Sequence, residues 1–113
     1  MANLPHQISL AEAIAMTTLY RANRPDNMPI CETFRLDAVL RLTNHAACTE
    51  LRIYYGMQPD KSIHAILVAG DAEGNDLLPT KGEVTVTGDD YDILEDGLRC
   101  PVTCPEPSPL NNK

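Results

Sequence analysis

From Leu51 to Met57 the chain alternates. Leu51, Ile53, Tyr55 and Met57 are apolar or aromatic, and Arg52, Tyr54, Gly56 and Gln58 fall between and after them. A period of two marks a strand with one buried face. Pro59-Asp60-Lys61-Ser62 is turn chemistry, and Ile63 to Ala69 is an almost unbroken apolar run, so the two segments predict a β-hairpin. Pairing Gln58 with Ile63 sets Met57 opposite His64, Tyr55 opposite Ile66 and Ile53 opposite Val68. The bulky side chains then share one face, and Arg52, Tyr54, Ala65 and Ala69 share the other. A slip of one residue inverts that assignment.

The N-terminal third has helical spacing. Ser9-Leu10-Ala11-Glu12 fits a capping box, in which the serine hydroxyl and the glutamate carboxylate each take one backbone N–H. A helix from Leu10 to Ala22 follows, and Asn23-Arg24-Pro25-Asp26 ends it, because the residue before proline avoids the α region. Leu10, Ile14, Met16, Leu19 and Tyr20 cover a wide arc, which predicts a well-covered helix packed closely on its neighbours. Asn27 to Ile30 reads as a linker. Thr33 is the expected N-cap of a second helix, Phe34 to Thr43, which Asn44-His45-Ala46-Ala47 breaks. Beyond the hairpin, Asp71 to Asp76 is a turn cluster, and Glu83-Val84-Thr85-Val86-Thr87 predicts a third strand from its β-branched residues. The order implies an α+β fold, with two helices on one side of a small antiparallel sheet. Residues 1–97 form a single domain in this reading, and residues 98–113 form a Cys/Pro-rich tail.

Composition fits this picture and narrows it. The 113 residues are 43% hydrophobic, with no tryptophan and one phenylalanine, so aliphatic side chains must fill the core. The net charge of −7 is uneven: residues 1–70 balance six basic against six acidic residues, and residues 71–113 carry three against ten. An acidic surface repels phosphate backbones and anionic lipid, which argues against nucleic-acid or membrane partners. Met1 to Leu10 lacks the charge and apolar run of a secretion signal, and no apolar stretch approaches a membrane span, so a cytoplasmic location is expected.

The chemistry worth weighing sits in the tail, where Cys100 and Cys104 stand among Pro101, Pro105, Pro107 and Pro109. Their three-residue spacing differs from the Cys-x-x-Cys of thioredoxin-like sites, but such a pair can form half of a zinc site. His45 and Cys48 are the first choice for the other half, with Cys31 and His64 as alternates. Zinc is the one cofactor this reading entertains. A reversible Cys100–Cys104 disulfide is the competing chemistry, and a partner-binding tail with ordinary thiols is the third reading. No PxxP spacing, calcium loop, phosphate loop, nucleophile elbow or metalloprotease helix is present. In the register above, His64 lies on the opposite face from Arg52 and Tyr54, so no catalytic set converges. An enzyme is not expected.

Glu32-Thr33-Phe34, Arg52-Ile53-Tyr54-Tyr55-Gly56-Met57, and the run from Arg99-Cys100-Pro101 through Cys104-Pro105 to Pro109-Leu110-Asn111 resemble a group of small bacterial proteins without an assigned activity. The likeness extends from Ser9 onward. It implies that the tail belongs to the normal architecture, and it supplies no catalytic residues. The expected function is a protein-interaction module. It would contact a protein partner or a second copy through Arg52 and Tyr54 on the hairpin face, or through the tail at Leu110. The alternative is a zinc or thiol–disulfide protein using Cys100 and Cys104.

Overall fold

The computed structural model describes residues 4–80 and 90–111. Helix α1 spans Leu10–Asn23, strand β1 Cys31–Thr33, helix α2 Leu36–Thr43, and strands β2 and β3 Glu50–Met57 and Ile63–Gly70. The short strands β4, β5 and β6 span Asp76–Leu77, Ile93–Leu94 and Leu98–Cys100. The fold is α+β, as the order of periodicities predicts. The expected strand at Glu83–Thr87 lies outside the described residues.

The hairpin of β2 and β3 forms the scaffold, with one correction. Met57 pairs with Ile63, Tyr55 with Ala65, Ile53 with Leu67 and Leu51 with Ala69, one residue away from the expected register. The turn explains the shift. The Gln58 N–H donates to the Ser62 carbonyl, and Lys61 takes a left-handed conformation at φ 75°. The loop is therefore three residues, Pro59-Asp60-Lys61, with a left-handed residue last, a standard hairpin connection. Asp60 Oδ1 accepts from both the N–H and the hydroxyl of Ser62 and steadies it.

The shift regroups the faces. Arg52, Tyr54, Gly56, His64, Ile66, Val68 and Gly70 now share one side of the ribbon. Leu51, Ile53, Tyr55, Met57, Ala65, Leu67 and Ala69 share the other. Helix α2 packs on this second side, where the fully buried Leu42 meets Leu67 and Ala69, flanked by Phe34, Val39, Cys48, Leu77 and Leu94. That cluster is the core, and it is centred on β3.

The second helix begins later than expected. Cys31–Thr33 is a strand rather than a linker end and cap, and Arg35 precedes α2 without a capping side chain. Strand β1 pairs with β6, so Leu98, Arg99 and Cys100 belong to the body and the tail proper starts after them. This two-stranded ribbon docks on the half of β3 that β4 and β5 leave uncovered. The Ala65 N–H donates to Glu32 Oε1 at 2.8 Å, the Ile63 N–H to the Asn27 carbonyl at 2.8 Å, and Arg99 Nη2 to the Ile63 carbonyl at 2.9 Å. Glu32 and Arg99 are directly opposite one another in the ribbon. Glu32 Oε2 and Arg99 Nε are buried without hydrogen-bond partners, and the two residues stand opposite one another without forming an ion pair.

Helix α1 carries the predicted capping box: Ser9 Oγ accepts the Glu12 N–H at 3.0 Å, and Glu12 Oε1 accepts the Ser9 N–H at 2.9 Å. Contrary to expectation, none of its residues is buried, and Leu10, Met16 and Leu19 are well exposed. Its apolar residues are scattered around the axis, so no single face can bury them together. Tethers hold it instead: the Tyr20 hydroxyl donates to the Pro29 carbonyl, and Arg21 Nη1 to the Leu110 carbonyl, both at 2.6 Å. Near the far end of the sheet, the buried Asp90 carboxylate accepts the Thr80 N–H and hydroxyl and the Tyr91 N–H.

Candidate interaction surface

Strand β2 is an edge. It pairs with β3 along one side, and among the described residues no strand pairs with its other side. Its apolar row is open as well: Leu51, Ile53, Tyr55 and Met57 are 45%, 50%, 71% and 58% exposed. The Leu67 and Ala69 opposite Ile53 and Leu51 are 5% and 0% exposed, because α2 covers β3 and stops short of β2. The result is an eight-residue edge strand whose four apolar side chains project from one face. Protein edges are usually blunted by short length, charge or proline, and β2 has none of these along that row.

The polar side of the same hairpin is occupied. Arg52 lies over Gly70, where a Cβ would fall 2.9 Å from the guanidinium and push it aside. Arg52 pairs with Asp76 and with Glu50, and the Tyr54 hydroxyl donates to Asp76. The Tyr54 and Arg52 hydrogen bonds hold the Asp76 carboxyl below its usual range, and the same carboxylate raises the Tyr54 phenol. Arg52 and Tyr54 thus serve an internal cluster. They do not share a face with Ala65 and Ala69, so the expected four-residue surface is not assembled.

The corrected register brings His64 onto the side of Arg52 and Tyr54, reversing the expected separation. Ser62 Oγ lies 3.0 Å from His64 Nε2, and His64 Nδ1 lies 2.8 Å from Glu95 Oε1. The order of groups is that of a hydrolase triad, but the details are not. The Nδ1 contact is close yet off the N–H direction, leaving that buried nitrogen without a hydrogen bond. The Ser62 hydroxyl is 2.6 Å from Asp60 Oδ1, which competes for its proton. The adjoining cavity of 170 Å³, lined by Gly56, Met57, Gln58, His64, Ile66 and Glu95, does not include Ser62. Small-molecule sites usually occupy about 300–1,000 Å³. The array ties the turn and the β5–β6 connection to the sheet.

Cys100 and Cys104 are joined to one another in a disulfide. The zinc clasp from His45, Cys48, Cys100 and Cys104 is therefore not assembled, and among the described residues no group of three or more His, Cys, Asp or Glu is arranged to hold a metal ion. His45 packs against Tyr91 in a tilted arrangement with ring centroids 4.6 Å apart, and the Cys48 thiol donates to the Glu50 carbonyl. Cys31 is a free thiol directly opposite Cys100 in the β1–β6 pair. The tail folds into its own turn, where Asn111 and Ser108 exchange hydrogen bonds. Leu110 uses its carbonyl to hold α1, and its side chain is 39% exposed. Among the described residues no helix is long and apolar enough to cross a membrane.

Sequence reasoning missed Glu32, Arg99 and Asp76, the side chains that join the ribbon to the sheet and fill the polar face. Their partners lie far along the chain, and no local spacing marks them. Comparisons with protein-family models, with curated proteins and with solved structures found no match, so the resemblance to small bacterial proteins remains an expectation.

Proposed function

We propose that the chain is a non-enzymatic protein-interaction module that docks its partner along β2. The observation that carries this reading is the exposed row Leu51, Ile53, Tyr55 and Met57 on an edge with which no strand among the described residues pairs. Strand addition at such an edge gains main-chain hydrogen bonds, and alternate side chains supply selectivity. Contiguous exposed apolar surface of this kind marks binding sites in soluble domains. Lys61, in the turn at the end of β2, gives a direct test with a short linker that is amine-reactive at one end and photoreactive at the other, applied in native lysate. Cross-links from Lys61 to another polypeptide chain are expected for the wild type and should vanish in an Ile53→Lys/Tyr55→Lys variant that keeps its circular dichroism spectrum. Their absence from the wild type would defeat the reading.

A second reading rests on Cys31 standing opposite the Cys100–Cys104 bond. The Cys31 thiolate can displace Cys104 from Cys100, forming a Cys31–Cys100 bond and leaving Cys104 as the thiol, with no external oxidant consumed. Peptide mapping after alkylation at acid pH tests it. A Cys31–Cys100 peptide should appear on incubation at alkaline pH in the wild type, and Cys31→Ser should hold the Cys100–Cys104 bond alone. A wild type in which only the Cys100–Cys104 bond is ever recovered would rule the exchange out.

A further inference from the structure

We infer that the partner docked on β2 is a second copy of this chain, joined as an antiparallel β2–β2 pair about a two-fold axis. This inference rests on the docking reading above and names its occupant.

Surface area is the first argument. A folded chain of this size ordinarily exposes about 6,100 Å², and this one exposes 8324 Å². Its radius of gyration is 16.1 Å, against about 13 Å for a compact chain of this length. The surplus exceeds the roughly 800 Å² that each partner of a standard interface hides. Part of that surplus is the apolar row of β2, with Leu10, Met16 and Leu19 of α1 contributing elsewhere, and a two-fold pairing hides the β2 share on both copies at once.

Self-complementarity is the second. In an antiparallel pair, directly opposed residues point to the same face. Only registers that oppose odd-numbered to odd-numbered residues make the two apolar rows continuous. With Tyr54 on the axis, Leu51 meets Met57 of the second copy and Ile53 meets Tyr55, with the same contacts repeated in reverse. Aromatic and β-branched cross-strand pairs of this type are favourable. Arg52 then faces Gly56 and Glu50 faces Gln58, so no like charges oppose each other.

Charge is the third. The chain carries −7 overall, which would oppose self-association if it were spread evenly. The only charged residues of β2 are Glu50 and Arg52, which pair with each other at 3.0 Å. The strand itself carries no net charge, and the nearby Asp76 carboxylate is held by Arg52 and Tyr54, which limits repulsion between two copies there.

Light scattering on purified protein over a range of concentrations decides the matter, with wild type, Ile53→Lys, Ile53→Glu and an equimolar mixture of the two variants. The wild type should have twice the chain mass. Each variant should scatter as a monomer and keep its circular dichroism spectrum, because the side chain of residue 53 is half exposed. The mixture should recover the dimer, since lysine and glutamate then lie diagonally across the axis, within reach of long side chains. A wild type that stays monomeric to about millimolar concentration would overturn the second-copy inference. Lys61 cross-links to a different polypeptide would in that case leave the docking reading standing, and their absence would remove both. A dimer that persists in Ile53→Lys would place the contact elsewhere and overturn the β2 pairing.

Discussion

β2 and β3 are the two arms of one hairpin, paired residue for residue over eight positions, yet they occupy different environments. β3 is satisfied on all sides: β2 takes one edge, β4, β5 and the Glu32–Arg99 ribbon share the other, and α2 covers its apolar face. β2 has one edge filled and its apolar row open. The two strands have similar apolar content on the shared face, so content alone does not decide burial. Position in the sheet does, because a single eight-residue helix can cover only the strand it crosses. The chain stabilises itself through β3 and leaves the apolar row of β2 uncovered.

The sharpest way to break this contrast is to truncate one side chain on each arm. Leu67→Ala opens a cavity in the small core and should cost about 2–5 kcal/mol, enough to abolish cooperative unfolding in urea or shift its midpoint far down. Ile53→Ala, directly across the ladder, should cost less than about 1 kcal/mol at concentrations where the protein is monomeric. Equal losses would mean that β2 is as buried as β3.

Removing the second edge of β3 should have the next largest effect. Arg99→Ala strips the Ile63 carbonyl of its donor and leaves Glu32 as a buried charge without its opposite. A loss of about 1–3 kcal/mol is expected, with faster amide exchange at Ile63 and Ala65 and little change at Leu67. Uniform exchange throughout β3 would show that the ribbon adds nothing local.

The polar face of the hairpin supplies a pH test. Asp76 is held below the usual carboxylate range by Tyr54 and Arg52, so the folded state binds its proton less readily than the unfolded chain. Its stabilisation is intact at neutral pH and fades as pH falls below about 4. Asp76→Asn should make the melting temperature less sensitive to acid in that window. Tyr54 is raised, so its contribution holds below about pH 10 and is lost as pH climbs through the folded value. Tyr54→Phe should flatten that alkaline limb in thermal melts, and unchanged limbs in both variants would disconnect the cluster from stability.

The smallest effect is expected at α1. Ser9→Ala removes the capping box, worth about 1 kcal/mol of helix stability, from a helix that buries no residue. Helical ellipticity should fall while the unfolding midpoint of the sheet stays within error. A matching drop in the midpoint would show that α1 is coupled to the core.

Much of the fold was legible because its signals are local. The Ser9/Glu12 box, the proline that ends α1, the alternation of β2 and the apolar run of β3 act over a few residues. The register was not legible, since it depended on a left-handed non-glycine residue, Lys61, in a turn that several loop lengths could close. Strand β1 was hidden because three residues carry no period, and its partner β6 lies near the other end of the chain. Of the expected interaction residues, Arg52 and Tyr54 lie on β2 but are engaged with Asp76. The open row is the one assigned to the buried face.

The sequence by itself determined the two helices, the long hairpin that follows them and the α+β class, because capping, proline geometry and side-chain periodicity are properties of short segments. It also determined that no long apolar span or dense basic patch is present, since both are matters of composition. Only the tertiary structure decided which apolar face is buried, which cysteines join and which charges meet. These depend on contacts between residues distant in sequence, and on how far one short helix reaches across a sheet. The same alternating pattern is compatible with a buried strand and with an open one, and the number of elements available to cover it made the choice.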